Sequence, residues 1–225
     1  MSRLIPDNQP NNWFEMMINE CYYYPIKNLA LSYNSVVVDC GSNVGGFVYA
    51  FKDKFNKFYC FEASSYNIDK MNSNLKNYKD KYEVFQVALS NESNKQIKLL
   101  KYISDNNEDT PSGNFGIVPF VNKNNNHGWR SDEHEIVNSL CLEDLFKKIN
   151  SEKIDLLKVD IEGSEYDFLF DKDLSNINFI TMELHNFLID LGQMQKFLDH
   201  IKKTHDEVYS SGSYSEHWIK LWKRR

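Results

Sequence analysis

Three things are scarce in this chain. It has no C-x-x-C pair; its four cysteines, Cys21, Cys40, Cys60 and Cys141, lie far apart. That spacing argues against a zinc knuckle. Cys40 and Cys60 fall in or beside apolar runs and read as buried thiols, which fits a reducing compartment. The chain has no apolar run of membrane-spanning length, and its start, "MSRLIPDNQPNNW", lacks the charged-then-apolar order of a signal peptide. Positive charge is not in excess either: 26 Lys and Arg stand against 32 Asp and Glu, for a net charge of -6. This balance argues against nucleic acid or an anionic membrane as the main partner. The expectation is a cytoplasmic protein, long enough at 225 residues for one domain with a sizeable core.

What is present is alternation. β-branched and aromatic runs at 35–41, 57–63, 82–90, 153–160 and 177–185 predict strands, and apolar residues at helical spacing between them predict helices over 43–55, 65–78, 141–149, 164–170 and 193–205. The end reads as strand, Ser/Gly turn and strand. Repeated strand–helix units build a doubly wound α/β fold: a mostly parallel, seven-stranded sheet with helices on both faces, closed by an antiparallel C-terminal hairpin. Residues 1–34 read as an N-terminal helical extension, and 35–225 as the main domain. Inside it, 104–135 is long, rich in Asn, Gly and Ser, and carries Phe115, Phe120 and Trp129. A connection of that length and composition reads as a lid over a ligand.

Ligands of open α/β sheets sit beyond the carboxyl ends of the strands. The first strand ends in "DCGSNVGG", where glycines let the backbone approach a ligand. The second strand ends in Glu62, 23 positions after Asp39, the separation at which an acid takes two ribose hydroxyls. The loop is not the G-x-G-x-x-G of a dinucleotide site. Its Asp39 repels a pyrophosphate and suits a cationic ligand bearing an amino group and a sulfonium, which is S-adenosylmethionine. Asp39, Gly41, Ser42, Asn43 and Gly45 would hold the amino-acid end. Glu62, with Ala63 and Ser64 behind it, would hold the ribose. Ala88 and Leu89 would flank the adenine, although core packing explains those two equally well.

The stretch "LLKVDIEGSEYDFLF" sets an apolar run against three acids. Glu162 and Glu165 are read as helix-start residues favoured by the dipole. Asp160 ends its strand and is aimed at the cofactor crevice. Glu183 and His185, two apart on the next strand, share its face. Three uses stay open for His185: a general base beside Asp160 and Glu183, a ligand with those acids for a divalent cation, or a structural cap. The base is the reading taken, and no metal is assigned.

"VVVDCGSNVGG", "CFEASSYN", "VALS", "LLKVDIEGSEYDFL" and "ITMELH" resemble, in order and spacing, the FkbM-type methyltransferases. The likeness spans roughly 35–186, and "KVDIEGSE" is its most specific part. The chain departs from the usual pattern at Ser42, often Ala, and at Glu62-Ala63, often Glu-Pro. The resemblance implies a Rossmann-like fold and S-adenosylmethionine-dependent O-methylation of a sugar hydroxyl. The acceptor would be a nucleotide-activated or surface-polysaccharide sugar, as in capsular polysaccharide biosynthesis. Methylation of a nitrogen or carboxylate is the nearest alternative, and a carboxylate would need no base. A nicotinamide-dependent oxidoreductase is a further one, weakened by the loop.

Overall fold

The computed structural model describes residues 23–102, 115–117, 129–185, 191–211 and 218–225. Helices α1 (Tyr23–Lys27), α2 (Gly46–Phe51), α3 (Ser65–Asn74), α4 (Leu142–Lys148), α5 (Glu165–Leu169) and α6 (Leu191–Ile201) surround the sheet. Strands β1 (Val37–Cys40), β2 (Phe58–Glu62), β3 (Tyr82–Gln86), β8 (Ile154–Val159), β9 (Ile177–Leu184), β10 (His205–Ser211) and β11 (Trp218–Arg224) form one seven-stranded sheet in the order β10-β11-β9-β8-β1-β2-β3. β3, β2, β1, β8 and β9 are parallel, whereas β11 runs antiparallel to both β9 and β10. The doubly wound sheet and its antiparallel hairpin are therefore as the alternation predicts.

Every residue of β1 and β8 is buried, as central parallel strands covered on both faces require. Successive side chains enter opposite layers. Val37 and Leu156 pack with Phe47, Phe51 and Met71 of α2 and α3. Val38 and Leu157 pack with Leu145, Phe168 and Phe197 of α4, α5 and α6. The chain leaves β1 toward β2 on one side and reaches β8 on the other, so the crevice between β1 and β8 is the topological switch point.

A second sheet is a departure from the predicted pattern. β4 (Ala88–Leu89), β5 (Gln96–Tyr102), β6 (Phe115–Ile117) and β7 (Trp129–Leu140) pair in the order β4-β7-β5-β6. The run read as one strand over 82–90 thus divides after Gln86, and its end joins another sheet. Part of the expected lid contributes strand residues to β6 and β7; the remainder, including Phe120, lies outside the described residues. So do residues 1–22 of the expected N-terminal extension. Among the described residues no helix is long and apolar enough to cross a membrane.

Candidate active site

The loop after β1 turns through left-handed conformations at Gly41 (φ 75), Asn43 (φ 48) and Gly45 (φ 91). Gly41 is dictated by space as well, since a Cβ there would stand 1.7 Å from the Asp160 carbonyl oxygen at the end of β8. The Gly41 and Ser42 amides donate to the Phe61 carbonyl at 2.8 and 3.2 Å. Glu62 completes the tie. One of its oxygens accepts from the Asn43 amide at 2.8 Å, the other from the Ser64 amide at 2.9 Å and the Asn67 side chain at 3.3 Å. Burial raises the Glu62 pKa, and the Ser64 and Asn43 amides oppose that rise.

Lys158, the next-to-last residue of β8, is 4% exposed. Its ammonium donates to the Gly41 and Cys40 carbonyls at 2.7 and 3.3 Å, and stands 3.2 Å from Asp39 and 3.5 Å from Asp160. Burial disfavours its charge, but the two carboxylates overcome that and hold its pKa above the ordinary lysine value. Asp39 is itself fully buried, which raises its pKa against the pull of Lys158. A lysine inside an apolar strand is the residue that sequence reasoning passed over. It answers much of the negative charge at this strand end.

A narrow cleft opens beside this loop. Gly41, Asn43 and Glu62 line it together with Asp160 and Glu162, and Ala63, Ala88, Leu89 and the unforeseen Leu99 of β5 give it an apolar wall. Asp39, Ser42 and Ser64 do not line it and are at most 3% exposed. The Ser42 hydroxyl donates to the Asp39 carbonyl at 2.8 Å, Ser64 accepts from the Asn67 amide at 3.3 Å, and Gly45 caps α2. These four stand behind the cleft lining and shape the loop. Burial of the aspartate against Lys158 is the physical reason for Asp39.

At the acidic end, β8 passes through Glu162 (φ 53) and Gly163 (φ 96) into α5. Glu165 does more than complement a helix dipole. One of its oxygens accepts from the Ile161 and Gly163 amides at 3.1 and 3.2 Å and pairs with His185 Nδ1 at 2.9 Å. His185 Nε2 faces the Glu162 carboxylate at 3.5 Å. Burial works against a charged His185, but Glu165 and Glu162 raise its pKa well above the ordinary value. Burial pushes Glu162 up to about 7, aided by Asp160, Glu183 and Glu165 and opposed by His185. Glu183 is buried on β9. Ligand atoms of Asp160, Glu162 and His185 lie within 4.8 Å of one another, so these three could hold a metal ion; Glu162 takes the place foreseen for Glu183.

A family model described as "Methyltransferase FkbM domain" matches residues 39–211. A search of curated proteins gives no match. Among solved structures, the chain is similar to methyltransferase FkbM from Methylobacillus flagellatus KT, at 16% identity and a TM-score of 0.55, over 89% of this chain and 46% of that one. It thus spans about half the length of that relative. It is also similar to the fibrillarin/Nop5p complex, at 13% identity and a TM-score of 0.51, over 94% and 80%. Likeness to TrmK of M. capricolum, solved with S-adenosyl-homocysteine, is weaker, at 9% identity and a TM-score of 0.47, over 87% and 65%. At these identities the likeness to the first two shows the fold alone.

Proposed function

Because this chain belongs to the FkbM methyltransferase family, we propose that it methylates a sugar hydroxyl with S-adenosylmethionine as donor. The acceptor class is a nucleotide-activated or surface-polysaccharide sugar. The observation that carries the reading is the shared cleft: Gly41, Asn43, Glu62, Ala63, Ala88, Leu89 and Asp160, each singled out by sequence, line one cavity. The cavity fits the donor chemically. Asn43 Oδ1 is a buried acceptor with no hydrogen-bond partner among the described residues, suited to an amino group. Glu62 keeps its carboxylate at the cleft for the ribose hydroxyls, and the apolar wall suits an adenine ring.

When bound, S-adenosylmethionine supplies a sulfonium methyl: the acceptor O–C bond forms as the C–S bond breaks, and the hydroxyl proton is lost. The chain's own groups position the reactants, an effect worth roughly 7–11 kcal/mol of barrier. Lys158 fixes the ends of β1 and β8 together. Asp160, Glu183 and His185 are the candidates for drawing off the proton, and Glu162, which lines the cleft beside Asp160, joins them.

The test is incubation with methyl-labelled S-adenosylmethionine and a panel of nucleotide sugars, amines and carboxylic acids. Label in an acid-stable, base-stable ether of a sugar is the expected result. Label only in an ester or an amine would overturn the hydroxyl reading.

A further inference from the structure

The far end of the cleft has more chemistry than methyl transfer alone demands. Asp160 and Glu162 line it from the turn after β8, and His185, at the end of β9, stands directly behind Glu162 without lining the cleft itself. Donor atoms that share one ion at 2.0–2.6 Å cannot stand more than about 4–5 Å apart. Those of Asp160, Glu162 and His185 lie within 4.8 Å of one another.

An independent feature aims the imidazole. Glu165 is outside this trio, and two backbone amides and His185 Nδ1 converge on its Oε1. With Nδ1 turned to Glu165, the Nε2 of a side chain only 2% exposed is directed at Glu162. A carboxylate behind a histidine that faces further ligands is the usual outer support of a metal-bound imidazole.

We propose that Asp160, Glu162 and His185 bind a divalent cation that seats the acceptor hydroxyl. Two carboxylates with one imidazole suit Mn²⁺, with Mg²⁺ a weaker occupant because of the nitrogen donor. The proposal rests on the methyl-transfer reading and deepens it. The acceptor oxygen coordinates the cation, its O–H bond breaks and, with Asp160 and His185 engaged as ligands in place of the base role, the proton passes to solvent. Its lone pair forms the new O–CH₃ bond while the C–S bond breaks, and sulfur leaves as a neutral thioether. The cation stays at the same charge throughout, and its part is to lower the pKa of the hydroxyl. An acceptor with two neighbouring hydroxyls would hold it best.

Mn²⁺ titration of the full chain, stripped by chelator and followed by electron paramagnetic resonance, tests this without any acceptor. One bound equivalent is expected, weakened at least ~10-fold by Glu162→Gln and by His185→Gln. Spin-echo spectra of the Mn²⁺-loaded wild-type chain need no variant and should show one directly bound imidazole nitrogen. Absence of saturable binding, binding that Glu162→Gln leaves intact, or no nitrogen coupling would each overturn the site. Calorimetry with S-adenosylmethionine on the metal-free protein separates the two claims. If the donor binds and Mn²⁺ does not, the cation alone is lost; if the donor fails to bind, the methyl-transfer reading is lost.

Discussion

Gly41 is the residue at which the site is least tolerant. It sits at φ 75 with the Asp160 carbonyl where a Cβ would go. An L-residue in the left-handed region costs roughly 1–2 kcal/mol, and the clash adds to that by forcing β1 and β8 apart. Gly41→Ala should therefore lower the melting temperature and weaken S-adenosylmethionine binding more than tenfold together. Thermal melts and calorimetry check this, and an unchanged melting temperature with unchanged affinity would contradict the close approach. Gly41, Asn43 and Glu62 were legible because loop glycines and an acid at a set separation leave a local mark. Lys158 left a mark in the sequence: a lysine in the run "LLKV" can be buried only if partners are waiting. Of those partners, Asp160 stands two residues further along the same segment, and Asp39 is brought by strand pairing, which register alone reveals. The same holds for Glu165, whose bond to His185 joins residues 20 apart in sequence.

At the scale of elements, the parallel strands were legible because each is a short apolar run followed by a helical period. The second sheet was not. Gln96–Tyr102 is a short mixed stretch, and its partner β7 begins in the polar segment read as a lid. Its pairing is long-range, and no local signal announces it. One element contact has a pH signature. His205, at the start of β10, bonds through Nε2 to the Ile177 carbonyl at the start of β9 and through Nδ1 to the Thr204 hydroxyl. Burial holds its pKa below the ordinary value, with Arg224 and Arg225 adding to the depression against the Ile177 carbonyl. The unfolded chain then binds this proton more readily, so stability is full above about pH 6.5 and falls as pH drops through the folded pKa. Urea midpoints of wild type and His205→Gln, compared at about pH 7.5 and about pH 5.5, should show a smaller acid loss in the variant. Equal losses would remove His205 from the acid limb.

At the scale of the molecule, the strand order sets the switch point between β1 and β8, and the polar residues at the carboxyl ends of β1, β2 and β8 converge beside it. The cleft therefore brings loop, acid and apolar wall together from segments as distant as Gly41 and Glu162. The central claim is that this cleft takes S-adenosylmethionine. Calorimetric titration with that compound, with NADH as the control and Glu62→Gln as the variant, tests it most directly. The account predicts micromolar binding of S-adenosylmethionine, none of NADH, and a loss of more than tenfold in the variant. Binding of NADH without S-adenosylmethionine would contradict it.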